Sequence, residues 1–210
     1  MVVPDTQYGF FIDTSRCTGC KTCQVSCKDK NELPAGSSFR RVYEYVGGEW
    51  AKDTNGTWTQ NVFGYYVSIS CNHCADPACT KACPSGAMHK RKKDGLVVVN
   101  EDVCVGCRYC EMACPYGAPQ FNKEKGHMTK CDGCFDLLEQ GKPPTCVASC
   151  PLRAIEFGSI EELRKTHGNI AEIAPLPKSS LTSPSLVIKL NKNAKPSGDT
   201  TGQVINIKEV

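Results

Sequence analysis

Thiols set in fours dominate this sequence: sixteen cysteines stand in 210 residues and fall into four groups. Cys17, Cys20, Cys23 and Cys27 make the first, and Cys71, Cys74, Cys79 and Cys83 the second. Cys104, Cys107, Cys110 and Cys114 make the third, and Cys131, Cys134, Cys146 and Cys150 the fourth. The first and third groups have the spacing C-x2-C-x2-C-x3-C. Three thiolates so placed in one loop grip one iron-sulfur cubane, while the fourth points away and ligates a second cluster. Pro84, Pro115 and Pro151 follow the last cysteine of groups two, three and four, and group one departs with Lys28.

Other chemistries for cysteine fit this pattern less well. An even count alone is compatible with disulfides, but repeated C-x-x-C steps leave the partners elsewhere, and small disulfide scaffolds are usually shorter. The fourth group alone, with eleven residues between Cys134 and Cys146, resembles a zinc ribbon, whereas zinc sites rarely chain three cysteines at two-residue intervals. No C-x-x-C-H occurs, so covalent haem attachment is excluded.

The elements that must hold these thiols repeat weakly. Cys-Pro-x-x-Ala recurs at Cys83 to Ala87, Cys114 to Ala118 and Cys150 to Ala154, which marks a duplicated small unit. Tyr8 to Ile12 and Leu96 to Val99 read as strands ahead of groups one and three, with Lys93-Asp94-Gly95 as a turn before the second. The expected fold class is α+β, with two ferredoxin-like two-cluster modules, one inserted in the other. Residues 1-31 and 122-173 form the outer module and residues 71-121 the inner one. Crossing the fourth cysteine of each run to the paired loop gives four ligand sets. They are Cys17, Cys20, Cys23 with Cys150; Cys27 with Cys131, Cys134, Cys146; Cys71, Cys74, Cys79 with Cys114; and Cys83 with Cys104, Cys107, Cys110. The expected cofactors are therefore four [4Fe-4S] clusters.

Residues 32-70 form a small antiparallel β insertion: Phe39 to Ser70 is rich in β-branched and aromatic residues, with turn signals at Gly47-Gly48 and Asn55-Gly56. Ser159 to Gly168 reads as a helix with Ser159 as cap, Glu162 three positions on and Gly168 as stop, and a shorter helix is expected over Asp132 to Gln140. Residues 174-210 read as an extended C-terminal arm unable to build its own core. Its apolar stretch Leu186 to Leu190 suggests that it lies on a partner.

Leu, Ile, Val and Phe account for 42 of the 210 residues, the lower edge of what hydrophobic burial alone can fold. Metal-ligand bonds formed only in the folded state would add to folding free energy. The formal charge of +3 counts every cysteine as neutral, whereas a cubane with four thiolates carries about −2, so four would bring the holoprotein to about −5. The basic residues thus read as compensation rather than a nucleic-acid patch, with Lys21, Lys28, Arg108 and Lys130 each close to a ligand. Met1 to Phe11 has no secretory-signal pattern, and the longest apolar runs fall far short of the roughly 18 residues of a membrane span.

The order of the groups, together with the phrases QYGFFIDTSRCTGCKTC, SISCNHCADPACTKACPSGAMHKR, CVGCRYCEMACPYGAPQFN and GHMTKCDGC, resembles the iron-sulfur subunits of membrane-bound dimethyl sulfoxide reductases over nearly the whole chain. The resemblance implies a non-catalytic electron-transfer subunit whose partners are an integral membrane quinol-oxidising anchor and a molybdopterin-containing catalytic subunit. Electrons from menaquinol would reduce dimethyl sulfoxide or related S- and N-oxides in anaerobic respiration. It also implies a periplasmic face of the inner membrane reached by co-export with the catalytic subunit, the cytoplasmic face being the alternative. In some relatives the second cysteine of group three is tryptophan and that site holds three irons; here it is Cys107. The same cysteine frame serves selenate, polysulfide and formate enzymes, and a free polyferredoxin is a further alternative.

No acid, base or nucleophile stands out. His73, between Cys71 and Cys74, is expected to tune a cluster by hydrogen bonding rather than to ligate iron. His167 suits the end of its helix, and His89 and His127 carry no distinct signal. Tyr109 and Tyr116 flank a cluster and are expected to exclude water rather than relay electrons.

Overall fold

The computed structural model describes residues 3–210, so the first two residues of the stretch read for a leader lie outside the described part. In chain order the strands are β1 (Tyr8–Asp13), β2 (Arg41–Gly47), β3 (Trp50–Lys52), β4 (Trp58–Gln60), β5 (Phe63–Ile69), β6 (Met88–Lys90), β7 (Val97–Val99), β8 (Gln120–Asn122), β9 (His127–Thr129), β10 (Ile155–Ser159), β11 (Leu186–Lys189) and β12 (Gly202–Val204). The helices are α1 (Thr22–Lys30), α2 (Ala78–Lys81), α3 (Tyr109–Ala113), α4 (Phe135–Leu138), α5 (Thr145–Ala148) and α6 (Ile160–His167). The chain is thus mixed helix and strand with small, mostly antiparallel sheets.

Three strands in the order β10-β1-β11 form one sheet, with β1 antiparallel to β10 and parallel to β11. Strand alternation splits its side chains. Phe10, Ile12, Leu186 and Ile188 join the main core with Cys23, Cys146 and Cys150, while Phe11 and Val187 face Ile160 and Leu163 of α6. Acidic residues begin α6 and basic ones end it, as its dipole favours, and Gly168 stops it at φ +89°. Ser159 precedes the helix but its side chain makes no capping bond. The Ile160 N–H donates to the Gln7 carbonyl instead, at 2.8 Å. His167 stacks on Phe11, centroids 3.7 Å apart, so packing as well as the helix end accounts for it.

The insertion is a hairpin of β2 and β5, in register from Arg41 opposite Ile69 to Gly47 opposite Phe63. It bends at Gly48, φ +86°, and continues into β3 and β4. Asp53 holds the turn by accepting from the Asn55 and Thr57 N–H groups, and Trp50 and Trp58 remain exposed beside it. Two further hairpins, β6 with β7 and β8 with β9, enclose the third group. The boundary expected between residues 121 and 122 falls inside β8, whose hairpin packs Met128 and Phe121 against Cys104 and Cys110.

Two expectations need correction. The segment from Ala174 onward does not leave the body for a partner: Leu186, Val187 and Ile188 are buried as β11, and β12 adds to β2. The Tyr65 hydroxyl donates to the Ala174 carbonyl at 2.7 Å. Without β11 one edge of β1 would be unpaired and Phe10 uncovered, so the tail completes the core. The helix expected over Asp132 to Gln140 is α4 alone, because Cys134 is left-handed at φ +53° and Asp132 accepts from its N–H. Helical geometry therefore starts only at Phe135.

Truncating Ile188 to Ala should destabilise the chain by about 2–5 kcal/mol, the range for large-to-small changes in a closed core. Leu190→Ala, at a side chain 40% exposed, should stay within about 0.5 kcal/mol. Thermal unfolding of the two anaerobically purified variants distinguishes a core strand from an arm.

Candidate iron-sulfur sites

Each ligand loop turns its backbone at the same place. The residue before the second cysteine is left-handed in all four: Gly19 at φ +70°, His73 at +43°, Gly106 at +67° and Gly133 at +76°. Such a turn swings successive N–H groups and the flanking sulfurs toward one point. Space as well as φ demands glycine at three of them. A Cβ on Gly19 would run into the Tyr66 ring, one on Gly106 would lie 2.6 Å from the Gly126 carbonyl oxygen, and one on Gly133 would lie 2.9 Å from a Leu96 methyl. Short helices then carry the later ligands, with Cys23 and Cys27 one turn apart on α1, Cys79 on α2, Cys110 on α3 and Cys146 on α5.

The Cys-Pro-x-x-Ala repeat has a physical purpose here. Gly86, Gly117 and Arg153 are left-handed at φ +69°, +59° and +50°, which turns the chain back over the preceding sulfur. The Met88 N–H donates to Cys83 Sγ and the Ala154 N–H to Cys150 Sγ, each at 3.3 Å. Group one lacks the proline because α1 continues through Lys28 to Lys30.

Cys17, Cys20, Cys23 and Cys150 line one apolar cavity with Ile12, Val42 and Ile155. Cys83, Cys104, Cys107 and Cys110 line another with Met88, Val99 and Met128. Between them, Cys27 faces Cys131, Cys146 and Cys134, and Cys79 faces Cys71, Cys114 and Cys74. All sixteen thiols are free. Among the described residues no three His, Cys, Asp or Glu side chains converge as ligands of a single ion do. Four soft donors ringing an apolar space, with backbone N–H groups aimed at sulfur, suit an iron-sulfur cube wider than one ion.

Burial, with neighbouring thiols adding to it, pushes Cys17 and Cys110 up to about 11 and Cys74 and Cys134 up to about 12. Cys27 and Cys79 are raised further for the same reasons. At these six positions the iron-free protein therefore holds neutral thiols, and metal entry displaces their protons. Cys20 lies below the usual thiol range because the Thr22 hydroxyl donates to it. Burial works against Cys83, yet the Met88 N–H and Ser85 bring it below that range.

Of the cations expected to balance the clusters, three have other partners. Lys21 lines the first cavity but pairs with Glu209, Arg108 pairs with Glu111 at the surface, and Lys28 Nζ donates to the Pro34 and Ser37 carbonyls. Lys130 alone is buried among thiols, with Cys71 the strongest influence on it after burial. Arg40, which sequence reasoning passed over, is 1% exposed and sits among Cys146, Cys23, Cys131 and Cys27.

His73 is fully buried and reaches across to a different loop from its own. Its Nδ1 accepts from the Val97 N–H at 3.0 Å, which leaves Nε2 to carry the proton toward Cys131 Sγ, 3.9 Å away. Burial opposes the Cys131 thiolate, but this contact holds its pKa below the usual value. Tyr116 is buried as expected, whereas Tyr109 is 53% exposed and shields nothing.

Two family descriptions match the chain: a 4Fe-4S dicluster domain over residues 62–160 and a 4Fe-4S binding domain over residues 8–29. The B subunit of the anaerobic dimethyl sulfoxide reductase of Escherichia coli strain K12 is 68% identical over 205 residues, covering 98% of this chain and 99% of the relative. The corresponding B subunit of Haemophilus influenzae is 59% identical over 204 residues, 97% and 99% of the two chains. The selenate reductase subunit beta of Thauera selenatis is 32% identical over 216 residues, covering 72% of this chain and 66% of that one.

The two glycine environments give a test of what the loops require. Gly106→Val combines a left-handed backbone with a blocked Cβ position, whereas Gly86→Ala, with nothing within 4 Å, bears only the backbone cost of about 1–2 kcal/mol. Iron per chain should fall in the first variant and stay at the parental level in the second, measured colorimetrically after anaerobic purification.

Proposed function

This chain belongs to the family of iron-sulfur electron-transfer subunits of dimethyl sulfoxide reductase-type molybdenum enzymes, and from that membership we propose that it carries four [4Fe-4S] clusters between two partners. One is a membrane anchor that oxidises menaquinol, and the other is a molybdopterin catalytic subunit that reduces dimethyl sulfoxide or related S- and N-oxides. When bound, each cluster supplies reversible one-electron chemistry at a potential set by its thiolates, hydrogen bonds and burial. The ligands are the four sets that the crossed spacing defines: Cys17, Cys20, Cys23 and Cys150; Cys27, Cys131, Cys134 and Cys146; Cys71, Cys74, Cys79 and Cys114; Cys83, Cys104, Cys107 and Cys110. The modules of residues 1-31 with 122-173 and residues 71-121 hold two clusters each.

The observation that carries this reading is the exposure of the ligands. Cys20 and Cys107 are exposed, whereas Cys27, Cys71, Cys79, Cys131, Cys134 and Cys146 are buried and Cys74 and Cys114 half-buried. A row of centres that opens furthest to the surface at its two outer members is suited to receive electrons at one end and deliver them at the other. Each end has an apolar surround. Beside Cys107 stand Val105, Tyr109 and Met112, which are 69%, 53% and 73% exposed. On the Cys20 side Val25 and Ile207 are 64% exposed, the last residues being tied there by the Gln24 amide donating to the Glu209 carbonyl. Exposed apolar groups of this size suit docking. We assign the more apolar Cys107 end to the membrane anchor and the Cys20 end to the catalytic subunit. No helix among the described residues is long and apolar enough to cross a membrane, so membrane attachment rests on the anchor, and co-export with the catalytic subunit would set the chain on the periplasmic face.

The greater identity to the dimethyl sulfoxide reductase subunits than to the selenate reductase subunit favours a sulfoxide as terminal acceptor. A freely diffusing polyferredoxin would gain nothing from two apolar docking ends.

Anaerobic purification with the copurifying partners should yield about 16 irons and matching acid-labile sulfide per chain, without zinc, and reduced dye should be oxidised by dimethyl sulfoxide. Colourless protein, or zinc in place of iron, overturns the reading. Cys107→Ser should convert one centre to a three-iron cluster of raised potential and slow quinol-driven turnover, as paramagnetic resonance and steady-state assays would record. Unchanged spectra would remove Cys107 from the ligands.

A further inference from the structure

Of the buried cations, Arg40 and Lys130 stand among cysteines, and among the described residues neither pairs with a carboxylate. Arg40 is 1% and Lys130 6% exposed. The Arg40 guanidinium donates to Ser68 Oγ at 3.1 Å and to Ser70 Oγ at 2.9 Å, and lies 4.5 Å from the Phe10 ring centroid. Its Nε has no partner. Lys130 Nζ donates to the Cys131 carbonyl at 2.6 Å and to the Val97 carbonyl. Neutral acceptors of this kind do not repay the several kcal/mol lost when a charge leaves water. A stronger counter-charge is required, and the groups that surround both cations are cysteines.

Those cysteines come from adjacent sets. Around Arg40 stand Cys146, Cys131 and Cys27 of the second set and Cys23 of the first. Ser68, which takes a hydrogen bond from Arg40, has its hydroxyl 3.4 Å from Cys23 Sγ. Around Lys130 stand Cys71 and Cys79 of the third set and Cys131 of the second. Each cation thus occupies a junction between two sets, and the second set touches both.

We propose that Arg40 and Lys130 are redox-positioning residues, Arg40 for the first and second clusters and Lys130 for the second and third, each raising the midpoint potentials of the two clusters it faces. Every reduction adds one negative charge, and a fixed buried cation favours the reduced form more than solvent would at the same distance. Placing the cations at the junctions holds neighbouring potentials up together, which opposes a deep trap or a high step at the middle of the row. The fourth set, with exposed Cys107, has neither cation beside it. This inference rests on the four-cluster reading above.

The test uses the intact complex and potentiometric titration followed by paramagnetic resonance. The parental complex must first show four titrating centres, and their absence would defeat the four-cluster reading itself. Given four centres, Arg40→Gln, which keeps hydrogen bonding to the serines but removes the charge, should lower two midpoints. The shift should be at least about tenfold in the reduction equilibrium, or 59 mV for one electron. Arg40→Lys should restore most of it. Lys130→Gln should lower two midpoints, one of them shared with the Arg40 variant, and one centre should move in neither. Should Arg40→Gln lose iron while Arg40→Lys retains it, charge is again what the site requires. Midpoints that stay put in both Gln variants, shifts that are equal in Arg40→Gln and Arg40→Lys, or iron loss in both Arg40 variants would overturn the proposal.

Discussion

Bringing sulfur anions into a low-dielectric interior is the constraint on which the rest of this structure depends. Burial, with neighbouring thiols adding to it, raises Cys17, Cys74 and Cys134 well above the usual thiol range, so ionising them requires a compensating charge or hydrogen bond. The chain meets the cost in three ways. Left-handed loop residues aim N–H groups at the sulfurs, the Cys-Pro-x-x-Ala turns place one further donor on the last sulfur, and buried cations stand at the junctions between sets. Each requires fixed backbone geometry, which is why short helices and small hairpins surround the thiols rather than long elements.

The insertion and the tail take their meaning from the same constraint. The hairpin of β2 and β5 closes one side of the first cavity through Val42 and Ser68, and it delivers Arg40 with the two serines that hold it. Gln24 on α1 accepts from the Val42 N–H at 3.1 Å, coupling the hairpin to the helix that bears Cys23 and Cys27. The Cys74 sulfur lies 3.3 Å from the Thr182 hydroxyl, so the tail enters the third set's surroundings as well. Segments that look peripheral in the sequence are walls of the sites.

Local features were legible in the sequence where local rules decide them. The cysteine spacing, the glycine turns at Gly47-Gly48 and Asn55-Gly56, the strands at Tyr8 and Leu96 and the helix stopped by Gly168 all follow from residues close together. What escaped depends on distant neighbours. Leu186 to Leu190 reads as an arm because its pairing strand begins at Tyr8, and Arg40 looks like an ordinary polar residue until the hairpin folds inward. His73 shows the same limit in another form. Its place between Cys71 and Cys74 points to a hydrogen bond onto a cluster but not to which one, and its hydrogen bonds run to Val97 and to Cys131 of another loop. Arg108 carried the opposite error, since proximity in sequence to a ligand does not imply burial beside it, whereas Lys21 does line the first cavity.

The topology also constrains when the sites can form. Cys17, Cys20 and Cys23 meet Cys150, and Cys27 meets Cys131, Cys134 and Cys146, so neither set is complete until most of the chain exists. The strand ahead of the first group gains its second neighbour only from β11, near residue 188. Loop-closure entropy grows slowly with length, but contacts of such separation form late. The inner sets, by contrast, draw on residues between Cys71 and Cys114 and can close within a single segment. Assembly from the inside outward follows, with the Cys17 set and the C-terminal strand finishing together. A chain organised this way must be fully synthesised before its outer sets can close.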